Sequence, residues 1–134
     1  MSYIDSNMWC YYMDSRLPEH PHVTGPMREI LIRGEVYVNT VTVMEVAHYL
    51  TRNLKADEAR DKIEALMNLR GLTVLDFDKD DMNASLDLLA KYGRSMGLGG
   101  RDSTILASLM QNEINTLLTH DNILKRSAEK NQVT

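Results

Sequence analysis

Four acids spread along the chain, Asp5, Glu45, Asp102 and Asp121, sit where carboxylates can do chemistry. Asp5 stops the apolar run Tyr3-Ile4 and is followed by Ser6 and Asn7, small polar residues that open helices. Glu45 falls in the first turns of an amphipathic segment, Asp102 just after the glycine run 97–100, and Asp121 just after the apolar run 114–118. Each has a structural explanation alone. Asp5 can bond the amides of the following turn, Asp102 and Asp121 can cap helices, and Thr42-Val43-Met44-Glu45 matches a capping box. Taken together, several negative charges on one edge are costly unless a positive charge sits among them. Carboxylate and water oxygens suit Mg²⁺ or Mn²⁺. Two such ions support in-line hydrolysis of a phosphodiester.

The elements that must position these acids follow from periodicity. The sequence predicts strands near 3–5, 35–39, 72–77 and 114–118, separated by helical stretches. The first helix is expected over about 7–15, and the prolines of Leu17-Pro18-Glu19-His20-Pro21-His22 break it. Val23, Met27, Ile30 and Leu31 mark the next helix, which Gly34 stops. A third starts at Thr40 or Thr42. A fourth covers 56–69 on Ala59, Ile63, Leu66 and Met67, and a fifth covers 80–94 on Met82, Leu86, Leu89 and Ala90. Gly97 to Gly100 reads as a loop before a helix at 101–111 built on Ile105, Leu106 and Leu109. Alternating strands and helices imply an α/β fold, a three-layer α/β/α sandwich around a parallel sheet of four to five strands. Ligands of such sheets bind at the strands' carboxyl ends, near the topological switch point. Asp5 and Asp121 fall there.

Composition narrows the class. At 134 residues the chain makes one domain, residues 1–134. Cys10 is the only cysteine and sits in an apolar run, so it reads as a buried thiol, excluding a disulfide or a thiolate cluster. With no apolar run long enough to span a bilayer and no signal-like start, a cytoplasmic setting is expected. The net charge of −4 means that any nucleic-acid partner needs bound cations or local basic patches to offset the acids.

The motifs Tyr-Ile-Asp5-Ser-Asn, Thr-Val-Met-Glu45-Val, Gly-Gly-Arg-Asp102-Ser-Thr-Ile-Leu-Ala and Leu-Leu-Thr119-His-Asp121, in this order and spacing, resemble the PIN domain. The similarity is to the small prokaryotic VapC-type toxins of toxin–antitoxin pairs and spans nearly the whole chain. It implies a Mg²⁺- or Mn²⁺-dependent endoribonuclease with Asp5, Glu45, Asp102 and Asp121 as metal ligands. It further implies an RNA substrate, a cognate antitoxin and a homodimer. Ser6 and Thr119 match hydroxyl positions near the acids, and Asn7 matches a polar residue beside the first acid. The chain departs from the pattern after Asp121, where residues 122–134 are polar and short for a further helix and edge strand.

Arg101 is a candidate phosphate contact. Arg52, Lys55, Lys91 and Arg94 form at most a weak basic rim. His20 and His22 read as a surface loop. His48 and His120 lie nearer the acids, and His120 is either solvent-exposed or in touch with substrate. Trp9, Tyr11, Tyr12 and Met13 read as core or as an interface. The alternative function is a PIN-like binding or regulatory module of weak catalysis. A phosphoacceptor receiver domain is disfavoured, because it needs paired acids after the first strand and a lysine at a late strand end.

Overall fold

The computed structural model describes residues 1–134. Its elements run β1 (Ser2–Ile4), α1 (Ser6–Met13), α2 (His20–Arg33), β2 (Val36–Asn39), α3 (Thr40–Asn53) and α4 (Ala56–Met67). They continue with β3 (Leu72–Leu75), α5 (Lys79–Met96), α6 (Gly100–Gln111), β4 (Thr116–Leu118) and α7 (Asn122–Glu129). The four strands form one parallel sheet in the order β3-β2-β1-β4. The chain first winds outward from β1 through β2 to β3, then returns to place β4 on the other side of β1. The topological switch point therefore lies between β1 and β4.

Side chains alternating along the strands divide the core into two layers. Tyr3 and Leu117 face a cluster with Ile105, Leu106, Leu109 and Leu124 from α6 and α7. Ile4, Val36 and Val38 face the other, with Trp9, Met27 and Leu50 from α1, α2 and α3. Trp9 is fully buried and donates its indole N–H to the carbonyl of Ile4 at 3.1 Å, which assigns it to core rather than interface. Cys10 is buried, and desolvation pushes its thiol up to about 12.

Several element boundaries differ from the sequence reading for identifiable reasons. The proline-rich break is shorter than expected: α2 begins at His20 and takes Pro21 into its first turn, where a missing N–H costs nothing. Pro26 lies inside the same helix. β3 stops at Leu75, because Asp78 and Asp81 form a reciprocal capping box that starts α5. α5 also turns a different face inward. Met82 and Leu86 are exposed, and Ser85, Leu88 and Tyr92 are buried instead. That helix runs two residues past Arg94 and closes on Gly97, whose φ of 74° suits a residue without a Cβ. Gly71, at φ 85°, passes so close to the turn after α2 that a Cβ would lie 3.1 Å from the Cα of Gly34. No fifth strand forms. After α7 the chain turns back, and Thr134 exchanges backbone hydrogen bonds with Asn115 and Leu117 along the outer edge of β4.

Candidate functional site

The four acids gather where β1 and β4 end and where α3 and α6 begin, at the switch point. Two carry structural duties and two do not. Asp5 caps α1, its Oδ1 accepting from the Ser6 amide at 2.7 Å, while its Oδ2 accepts from the Thr119 hydroxyl at 2.6 Å. Asp121 caps α7, accepting from the Leu124 amide at 3.0 Å. Its own amide donates to the Thr119 oxygen at 3.0 Å, so one hydroxyl ties the first and last acids together.

Glu45 and Asp102 are not caps. The capping box that Thr42 and Glu45 match in sequence does not form, because α3 starts at Thr40, the earlier of the two starts read from the sequence. Asn39 is its cap and accepts from the Thr42 amide at 2.8 Å. Gly99 occupies the cap position of α6, which leaves Asp102 in the first turn. Glu45 Oε2 is approached by the Ser6 hydroxyl at 3.2 Å and by Arg101 Nε at 2.9 Å. Ser6 also lies 3.4 Å from Asp5 Oδ1, and its single proton serves one acid at a time. Arg101 Nε is 4.0 Å from Asp102 Oδ1. Glu45 Oε1 and Asp102 Oδ1 are both buried with no hydrogen-bond partner.

The electrostatics follow from this crowding. Burial pushes the Asp102 carboxyl up to about 6, and the charges of Asp121 and Asp5 add to the shift against the opposing pull of Arg101. Glu45 is raised for the same leading reason, burial, with Arg101 pulling it down and Asp5 pushing it up. An α6 amino terminus would by itself favour the anion of Asp102. Desolvation and like charge win.

The donor set fits a hard divalent cation. Two buried carboxylate oxygens without partners, beside two further carboxylates, are what such an ion neutralises. No three of these acids close into a ready cage in this arrangement; Glu45 is drawn instead toward Arg101.

Several buried polar residues escaped the sequence reading. Asn39 is fully buried and donates its amide to the Ser108 hydroxyl at 3.1 Å and the Thr104 carbonyl at 3.2 Å, joining α3 to α6. The Tyr3 hydroxyl accepts from the Asn39 backbone and lies 2.6 Å from the Thr42 hydroxyl. These bonds tie the start of α3, where Glu45 lies, to α6, where Asp102 lies. Asn39 directly precedes a helix, a signal that was available. Asp14 is buried at the end of α1, gripped by Arg16 through two bonds at 2.9 Å and by the Tyr49 hydroxyl at 2.8 Å, which hold its carboxyl well below the usual range. It belongs to a different cluster, beside a recess of about 460 Å³ that Arg52 and Lys55 also line. Lys91 lies over the Tyr92 ring on α5, His48 is exposed on α3, and His20 faces the Tyr11 carbonyl at 2.8 Å.

The sequence profile of the PIN domain matches residues 2–130. The chain belongs to the PIN domain family. Solved PIN-like structures share its fold over nearly the whole length. Mycobacterium tuberculosis VapC20, described as a sarcin-ricin loop cleaving toxin, superposes with a TM-score of 0.82 at 12% identity, covering 95% of each chain. FitAcB from Neisseria gonorrhoeae gives 0.73 at 21% identity over 96% of this chain and 94% of that one. VapBC2 from Rickettsia felis, bound to a DNA fragment from their promoter, gives 0.72 at 16% over 94% and 92%. No curated protein sequence matches the chain. No helix of this PIN domain is long and apolar enough to cross a membrane.

Proposed function

We propose that this PIN domain is a Mg²⁺- or Mn²⁺-dependent endoribonuclease, the toxin of a VapBC-type toxin–antitoxin pair, with Asp5, Glu45, Asp102 and Asp121 as the cation's ligands. The observation that carries the reading is the pair of buried, partnerless oxygens on Glu45 and Asp102, the two acids that have no capping duty. Keeping such groups dehydrated and unbonded is costly unless a ligand completes them. A divalent cation held there supplies Lewis-acid activation of a water and stabilisation of the charge that builds on the phosphate.

The chain's own residues do the rest. Thr119 and Ser6 fix the two oxygens of Asp5, so that this carboxylate is oriented before any ligand arrives. Asn39 and Tyr3 hold the start of α3, which carries Glu45, against α6, which carries Asp102. Arg101, more than half of whose side chain is exposed, neutralises Glu45 and stands where it can meet an RNA phosphate. Asn7, beside Asp5, anchors the loop that carries Asp121 by accepting from the His120 amide at 3.3 Å. An antitoxin that covers these acids and a homodimer belong to the same reading, supported by the likeness to VapBC structures.

The test is cleavage of single-stranded RNA by purified protein in EDTA, Mg²⁺ and Mn²⁺, for wild type and Glu45→Gln. Metal-dependent cutting that Glu45→Gln loses at least 100-fold supports the reading, the scale expected when a group acting at the reacting centre is removed. Cutting in EDTA, or an active Glu45→Gln, contradicts it. A folded wild type without activity under any metal leaves the binding module.

A further inference from the structure

Beside the acids, on the surface, an exposed histidine is held in place. His120 lies between Thr119, which bonds Asp5, and Asp121, which caps α7. Its backbone N–H donates to Asn7 Oδ1, and its Nδ1 lies 3.0 Å from the Tyr11 hydroxyl. The two rings meet edge to face, with centroids 5.6 Å apart and planes at 85°. Asn7 and Tyr11 are four residues apart on α1, so they share a helix face and grip His120 together. Exposed side chains normally keep their rotamer freedom, because ordering them costs entropy with little burial in return. Here the helix α1 and the loop before α7 order an exposed imidazole next to the acid cluster.

The tie to Tyr11 also defines what the imidazole offers. Nδ1 is engaged with the phenol hydroxyl. Nε2 and the ring face remain for a ligand. The chain is acidic overall, and the four carboxylates repel phosphate, so affinity for a nucleic acid must draw on neutral contacts as well as cations. Unpaired bases stack on aromatic and histidine side chains, with a strength that does not depend on phosphate contacts.

We infer that Tyr11 and His120 form a nucleobase platform that seats an unpaired base of the RNA beside the scissile phosphate. His120 receives the base on its ring and offers Nε2 to the base edge. Tyr11 holds the imidazole upright, and Asn7 fixes the loop beneath it. The platform rests on the ribonuclease reading and names the substrate it takes: a single-stranded segment, engaged by at least one unstacked base.

The test uses the full chain with Ca²⁺ in place of Mg²⁺ and a short single-stranded RNA carrying the fluorescent base 2-aminopurine at successive positions. Wild type should quench the probe strongly at one position, and His120→Ala should lose that quenching and bind about 5- to 160-fold more weakly, the range seen when a base-stacking side chain is removed. His120→Phe should restore most of the binding by keeping a ring, and Tyr11→Phe should fall between the two. An RNA with an abasic site at the quenched position should bind wild type and His120→Ala alike. Equal binding by wild type and His120→Ala overturns the platform, as does a His120→Phe variant no better than alanine. Mn²⁺-induced thermal stabilisation should persist in all variants. If wild type binds no RNA and cleaves none, the nuclease reading fails with the platform. If wild type cleaves and His120→Ala binds as well as wild type, the platform alone fails.

Discussion

Replacing Asp102 by asparagine should stabilise the metal-free protein at neutral pH, although it removes a residue from the heart of the site. The folded chain holds Asp102's proton up to about pH 6, whereas an ordinary aspartate gives it up near 3.8. Across that window the native state binds more protons than the unfolded chain, so stability falls as pH rises and the full penalty is present above pH 6. A gap of roughly two pKa units at 1.36 kcal/mol each corresponds to about 3 kcal/mol. For a domain of this size that is a melting shift of up to about 10 °C. Glu45 is shifted in the same direction and adds to the slope. Asp14 is shifted downward, so its contribution is present above the ordinary aspartate value and is lost only below it, outside this window. The assay is thermal melting by circular dichroism from pH 4.5 to 7.5 in EDTA. Wild type should melt progressively lower as pH rises. Asp102→Asn should melt higher than wild type at pH 7.5 and show a shallower slope. A variant that melts lower at pH 7.5, or keeps the wild-type slope, refutes the claim that Asp102 is a buried acid held against neighbouring charge.

Three further outcomes follow from the same geometry. Arg101→Gln frees Glu45 from its 2.9 Å ion pair; Mn²⁺ affinity measured calorimetrically at pH 8 should rise several-fold, while binding to RNA weakens. Asn39→Ala removes the cap of α3 and the bonds to Thr104 and Ser108, so urea unfolding should show a loss of roughly 2–3 kcal/mol, and cleavage should fall with it. Asp14→Ala strands Arg16 and the Tyr49 hydroxyl; denaturation should report a loss of about 1–2 kcal/mol, and Mn²⁺ binding should stay at the wild-type level.

Much of the fold can be read from periodicity because both faces of the sheet are covered. Val36 and Val38 bury on one side and Tyr37 leans to the other, so β2 reads as an apolar run whichever face is considered. In α5 the apolar residues outnumber the buried ones: Met82 and Leu86 fit the period yet point to solvent, and Ser85 goes inward against Ser103. Periodicity gives a helix but not which of two competing stripes is buried. At the candidate site, the positions of the four acids were visible as strand-end and helix-start residues. Their unequal duties were not. Whether a carboxylate caps a helix or lies free depends on where the helix begins: of the two starts read for α3, Thr40 and Thr42, the helix takes Thr40, with Asn39 as its cap. The Asn39 and Asp14 networks join residues far apart in the chain, through hydrogen bonds that no local pattern announces.

Calorimetric titration of Mn²⁺ into the metal-free protein decides whether these four carboxylates receive a divalent cation. Wild type should bind one or two ions, with proton release near pH 6 as Asp102 ionises, and folded Asp5→Asn should lose most of that affinity. A folded wild type that takes up no Mn²⁺ at millimolar concentration, or an Asp5→Asn variant that binds as well as wild type, would contradict it.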